Sequence, residues 1–154
     1  MGSVQLNTPT SSTPPEMDRT PEGRRKFSKV LLVDDSKFLA DILAVFFQLD
    51  GYSARAAYSG EEAIKAANDD VPDIAFVDID MPGLDGLEVA KLLRVSPRTQ
   101  GTLLVALSAW EEDPFKKEAF KVGFSHYLTK PIDAVAIREF MSNLEKSDNT
   151  GDNR

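Results

Sequence analysis

"FVDIDMPGLDG", Phe76 to Gly86, ends an apolar run in two aspartates and then breaks at Met81-Pro82-Gly83. The run it closes, "IAFVD" (74–78), is short and apolar and is bounded by breakers, which predicts a buried strand. The same kind of unit recurs on either side. "KVLLV" (29–33) reads as a first strand, "SARAA" (53–57) as a weaker second, "TLLVALS" (102–108) as a fourth and "HYLT" (126–129) as a short fifth. Helical spacing fills the gaps. Phe38, Leu39, Ile42, Leu43, Phe46 and Phe47 repeat along one helix, and Gly51 supplies its stop. Ser59 with Glu62 three residues later forms a capping box that opens a second helix. Leu84, Leu87, Val89, Ala90 and Leu93 mark a third, starting near Asp85. A fourth spans about Pro114 to Val122 with Phe115, Ala119 and Phe120 expected inward, and Ile137, Phe140, Met141 and Leu144 face inward from a fifth.

Strands alternating with helices in this way predict an α/β fold, an open doubly wound parallel sheet with helices on both faces and right-handed connections. Ligands of such sheets lie beyond the carboxyl ends of the strands, where strand order reverses. Residues out of character with a buried sheet should therefore gather at strand C-termini.

Composition narrows the classes further. With 154 residues the chain fits one domain, and 42% hydrophobic with 28% charged residues is ordinary for a soluble globular protein. A net charge of −7 argues against direct nucleic-acid binding. The absence of cysteine excludes disulfides and thiolate metal sites. No apolar run approaches the ~18 residues of a membrane span. The N-terminus lacks the apolar core of a signal peptide, and Leu6 breaks the myristoylation pattern, so membrane insertion is not expected and the compartment expected is the cytoplasm. Residues 1–27 are rich in Ser, Thr and Pro and read as a disordered tail, 28–145 as the folded domain, and 146–154 as a second disordered tail. "GRRK" (23–26) is either a solvated linker or an electrostatic docking point.

The strand ends carry the signal. The first strand runs into Asp34-Asp35, the third ends in Asp78, the fourth in Ser108 and the fifth in Thr129-Lys130-Pro131. Each has an ordinary reading alone. Asp34-Asp35-Ser36 would suit a helix start, Ser108 a capping box with Glu111, Lys130 a surface position, and Asp78 with Asp80 a turn. Together they sit on one rim. Carboxylates ~4 Å apart repel by about 4 kcal/mol per pair at an effective dielectric near 20, so protonation or a cation must intervene. A hard divalent ion such as Mg²⁺ fits oxygen ligands, and the lysine and hydroxyl opposite suit an anion. Acids, metal, hydroxyl and lysine around one open position describe a phosphoryl site with a carboxylate nucleophile.

These residues resemble the receiver domains of two-component response regulators, over about residues 28 to 145. The resemblance rests on "LLVDDS", "PDIAFVDIDMPGLDG", "VALSA" and "YLTKP". It implies a flavodoxin-like sheet of strand order 2-1-3-4-5, with Asp78 accepting a phosphoryl group. It further implies Mg²⁺ held by Asp34, Asp35, Asp78 and the main-chain carbonyl of Asp80. Ser108 would bond the phosphoryl oxygen, Lys130 would pair with it, and Tyr127 matches the family's switch aromatic. The implied donor is a sensor histidine kinase or a histidine phosphotransfer protein, with small acyl phosphates as substitutes. The implied output is a protein partner on the face made by the fourth helix, fifth strand and fifth helix. Such a domain catalyses only its own phosphorylation and dephosphorylation.

Asp80 and Trp110 lie two residues after Asp78 and Ser108, and in the family these neighbours tune the loss of the phosphoryl group. Trp110 is expected to slow it by shielding the site, or else packs on the next helix. His126, the only histidine, reads as structural or surface. An aspartate-nucleophile phosphatase of the haloacid-dehalogenase type remains an alternative for "VDID", although its nucleophile would follow the first strand. A non-phosphorylated receiver-like binding module is the other. A flavin-binding protein of this fold would want a phosphate-cradling loop where "DDSKF" stands. No effector-like stretch is read after residue 145, which leaves open a stand-alone regulator, a phosphorelay shuttle or the receiver of a hybrid kinase.

Overall fold

The structure, a computed structural model, describes residues 26–151; of the tails expected at 1–27 and 146–154, residues 1–25 and 152–154 lie outside the described residues. The chain alternates β1 (Lys29–Val33), α1 (Lys37–Leu49), β2 (Ser53–Ala57), α2 (Gly60–Asp69), β3 (Ile74–Asp78), α3 (Gly86–Val95), β4 (Leu103–Ser108), α4 (Asp113–Val122), β5 (His126–Thr129) and α5 (Ala134–Gly151). All strand pairs are parallel, in the order β2-β1-β3-β4-β5. Strand order reverses at β1, so the crevice lies beyond the C-terminal ends of β1 and β3.

Alternation along the strands builds two cores. Leu31, Val33, Ala75, Val77, Leu104 and Ala106 face α2, α3 and α4, while Val30, Leu32, Ile74, Phe76, Val105 and Leu107 face α1 and α5. Phe76 is fully buried, with the rings of Phe47 at 5.5 Å and Phe140 at 5.8 Å, so it ties β3 to both helices of its face. Register then aligns the strand ends: Val33 pairs with Val77, Asp78 with Leu107, and Ser108 with Thr129.

Several expectations need correction. Phe27 is buried in the α1–α5 core, so the folded domain begins before 28; one large apolar residue beside a polar run gives too short a pattern to read. β4 starts at Leu103, because the Thr102 N–H closes a turn on the Thr99 carbonyl at 3.1 Å instead of joining the sheet. At α2, Ser59 accepts from the Glu62 N–H, but the Glu62 carboxylate takes the N–H of Tyr58, one residue earlier than the reciprocal bond of a capping box. The complete box belongs to α3, between Asp85 and Glu88. In α4 only Ala119 is buried, and Phe115 and Phe120 stand half exposed; Phe120 follows Ala119 by ~100° around the helix and so leaves the inner stripe. Phe38 is 75% exposed, on an outer stripe of α1 with Val45 and Leu49. α5 passes the boundary expected at 145 and reaches Gly151, since "KSDNT" offers no Gly or Pro to stop it.

Candidate functional site

Each residue singled out at a strand end is delivered to the rim by a backbone contact. The Asp34 N–H donates to the carbonyl of Ala57 at 3.1 Å, adding a rung beyond the β1–β2 ladder. The Asp34 carboxylate is then buried, accepting from the Ser36 N–H at 2.9 Å through one oxygen and from the Lys130 ammonium at 2.9 Å through the other. Ser36 caps α1 by accepting from the Leu39 N–H, and no acid occupies the first helical turn. Helix initiation thus explains Ser36 but not Asp34 or Asp35.

Asp78 is the last residue of β3 and only 4% exposed. Past it, the Ile79 N–H donates to the Leu107 carbonyl at 2.9 Å, and the Asp80 N–H reaches Asp78 Oδ1 at 3.3 Å. The chain turns at Gly83, whose φ of +72° favours glycine, and returns at Gly86. A Cβ on Gly86 would lie 2.4 Å from the Asp78 carbonyl oxygen and 2.7 Å from Ile79 Cα. Only glycine lets α3 start against the end of β3. Sequence reasoning quoted Gly86 without assigning it this task; its fixed place after the acidic turn was the available signal.

Ser108 ends β4 almost fully buried, and its carbonyl accepts from the Lys130 N–H at 2.7 Å, which fixes the lysine beside it. The Lys130 ammonium spans the acids, 2.9 Å from Asp34 Oδ2 and 3.4 Å from Asp78 Oδ1. Asp34, Asp35 and Asp78 each offer a carboxylate oxygen within 4.8 Å of the others. Burial, then the charge of Asp34, pushes the Asp78 carboxyl from its ordinary 3.8 up to about 7, against the pull of Lys130. Burial acts to lower the pKa of Lys130, but its bond to Asp34 and the charges of Asp78 and Asp34 outweigh that and leave it raised. Three acids against one ammonium is an excess of negative charge held by oxygen ligands alone. That donor set suits a hard divalent cation such as Mg²⁺.

Trp110 joins the parts of the outer rim. Its backbone N–H donates to Ser108 Oγ at 3.0 Å, and its indole N–H donates to Asp80 Oδ2 at 2.9 Å. Its ring stacks on Phe115 with centroids 5.4 Å apart, and its carbonyl accepts from the Tyr127 hydroxyl. Trp110 therefore packs on α4 and stands at the site at once. The capping role weighed for Ser108 is not found: the N-cap residue of α4 is Glu112, without a side-chain cap bond. Tyr127 packs partly buried against the α2–α3–α4 core. His126 lies edge-on to Phe140 at 5.2 Å, and burial lowers its pKa, which agrees with a structural role. Among the described residues no helix is long and apolar enough to cross a membrane.

Comparison with known proteins agrees with this geometry. A family model described as the response regulator receiver domain matches residues 30–142. The chain is similar to chemotaxis protein CheY4 of Vibrio cholerae, at 27% identity and a TM-score of 0.72, covering 76% of this chain and 98% of that one. It is similar to a putative response regulator from Chloroflexus aurantiacus, at 30% identity and a TM-score of 0.70, covering 79% and 99%. It is also similar to the receiver domain of the Francisella response regulator 1452, at 32% identity and a TM-score of 0.68, covering 79% and 98%.

Proposed function

The chain belongs to the response regulator receiver domain family of two-component signalling, and on that premise we propose that Asp78 accepts a phosphoryl group from a phosphohistidine on its donor protein. Receiver domains take that group from histidine kinases or histidine phosphotransfer proteins. The observation that carries the reading is the Lys130 ammonium shared between Asp34 and Asp78, with Asp35 in the same cluster at the carboxyl edge of the sheet.

An ionised Asp78 oxygen attacks phosphorus, the new P–O bond forms as the P–N bond to imidazole breaks, and the imidazole leaves to pick up a proton. Lys130 already lies 3.4 Å from the acceptor oxygen, so it is placed to meet incoming negative charge. The Ser108 hydroxyl lies at the end of the neighbouring strand and gains a phosphoryl oxygen as acceptor. Asp34, Asp35, Asp78 and the main-chain carbonyl of Asp80 are the ligands assigned to Mg²⁺, which when bound offsets the acidic cluster and the charge on the transferred group. The side chain of Asp80 is engaged by Trp110. That bond supports the reading of Trp110 as a brake on self-dephosphorylation.

Phosphorylation adds charge and acceptor oxygens where Ser108 and Lys130 lie, and their movement toward it biases a two-state surface of α4, β5 and α5 that carries Tyr127. A protein partner reads that surface; neither nucleic acid nor membrane is part of this role, and the cytoplasm is its proposed setting. Incubation with acetyl phosphate and Mg²⁺ followed by intact mass measurement tests the acceptor. Wild type gains one phosphoryl group and Asp78→Asn gains none. Equal gain by both would defeat the assignment.

A further inference from the structure

α1 is apolar on two sides. Ala40, Leu43, Ala44 and Phe47 are buried against the sheet. Phe38, Ile42, Val45 and Leu49 lie on the opposite side, within about 60° of arc for a helix that turns by about 100° per residue. Phe38 is 75% exposed, Val45 50% and Leu49 74%, with Ile42 half-buried between them, so among the described residues nothing covers this outer stripe. Its spacing of four, three and four residues is that of the a and d positions of a coiled coil, a narrow seam that fits a second helix.

The seam has the same character read in either direction. Phe38 and Leu49 are its large ends, and Ile42 and Val45 its β-branched middle. A copy of the helix turned antiparallel about the point between Leu43 and Ala44 sets Phe38 opposite Leu49 and Ile42 opposite Val45. That is the condition for a twofold contact, in which residue i meets j wherever j meets i. The same turn brings Lys37 opposite Asp50 at both ends of the pair, whereas parallel helices would set Lys37 against Lys37 and Asp50 against Asp50. Lys37 is exposed, with a 3.6 Å contact to Asp41 of its own helix. Asp50 takes two bonds from Arg138 of α5, and a carboxylate can accept about four, so it has room for the lysine.

From this self-complementarity we propose that a second copy of this chain covers the stripe, with α1 packed antiparallel on the partner's α1 about a twofold axis. Phe38 then packs on the partner's Leu49, Ile42 on the partner's Val45, and Lys37 pairs with the partner's Asp50. A helix of 13 residues is only about 20 Å long. The contact is therefore small, and pairing is weak and depends on concentration. It uses the sheet face that carries α1 and α5 and leaves α4, on the other face, uncovered.

The test is sedimentation equilibrium of the full chain from roughly 1 µM to roughly 1 mM, in which the mass rises from monomer to dimer. Val45→Glu and Leu49→Glu place a charge in the seam and stay monomeric over the same range, with urea unfolding as the check that both are folded. Register is read by cross-linking. The chain has no cysteine, so single-cysteine variants report without background. Under mild oxidation a mixture of Phe38→Cys and Leu49→Cys forms a linked dimer roughly tenfold faster than either variant alone, because only that pair is held together. Faster linking of Phe38→Cys to itself would make the pairing parallel and overturn the proposal. A dimer that survives both glutamate variants would lie on another face and overturns it equally. So does a chain that stays monomeric throughout; if Val45→Glu then slows phosphoryl transfer from a protein donor, the donor is the occupant of the stripe.

Discussion

Replacing Asp78 by Asn should stabilise the metal-free protein, and the gain should grow with pH. In the folded state Asp78 keeps its proton up to about pH 7, against an ordinary value of 3.8. A carboxyl whose folded pKa is raised contributes stability below its unfolded pKa, and that contribution is lost as pH rises through the folded value. At about 1.36 kcal/mol per pH unit, ionisable Asp78 costs the fold about 2 kcal/mol near about pH 5 and about 4 kcal/mol near about pH 8. Asn cannot ionise, so Asp78→Asn recovers those amounts, less any bond the amide fails to make to Lys130. The difference between the two pH values, about 2–3 kcal/mol, is free of that correction. Urea unfolding of both proteins in chelator at the two pH values measures it. With Mg²⁺ at the higher pH, wild type gains more than the variant, because it offers one more carboxylate. A stability gain independent of pH would refute the electrostatic account, as would equal stabilisation of both proteins by Mg²⁺.

Three further outcomes follow from the same geometry. Lys130→Met leaves Asp34 and Asp78 facing each other and should destabilise the metal-free protein by about 2–4 kcal/mol near about pH 8 and by less near about pH 5, read by urea unfolding. Trp110→Ala opens the approach to the acceptor and should speed loss of the phosphoryl group roughly tenfold, equivalent to ~1.4 kcal/mol of barrier, followed by mass after removal of acetyl phosphate. An unchanged lifetime would restrict Trp110 to its packing on α4. Gly86→Ala sets a methyl group 2.4 Å from a backbone oxygen and should cost about 1–3 kcal/mol in thermal or urea unfolding.

Much of this was legible in the sequence because the signals were local. The runs "KVLLV" and "IAFVD" state their burial directly, and the rule that ligands gather at strand C-termini brought Asp34, Asp78, Ser108 and Lys130 together. What stayed hidden depends on contacts distant in sequence. Arg94 and Gly123 are joined only because the end of α3 meets the end of α4, and neither residue carries a mark of it. The bond from Trp110 to Asp80 crosses from one strand end to the next, and spacing does not encode side-chain direction. The inner stripe of α4 is too narrow for periodicity to choose between Ala119 and its aromatic neighbours. Membership of the receiver family then favours the signalling reading over the phosphatase that "VDID" alone left in play.

The central claim is that the phosphoryl group resides on the Asp78 carboxylate. Wild type treated with acetyl phosphate and Mg²⁺ can be digested, and the modified peptide located by fragmentation mass spectrometry, with and without hydroxylamine. The account predicts the group on Asp78, absent when the metal is chelated, and removed by hydroxylamine as an acyl phosphate is. A phosphoryl group found on Ser108 or another hydroxyl, resistant to hydroxylamine, would contradict it.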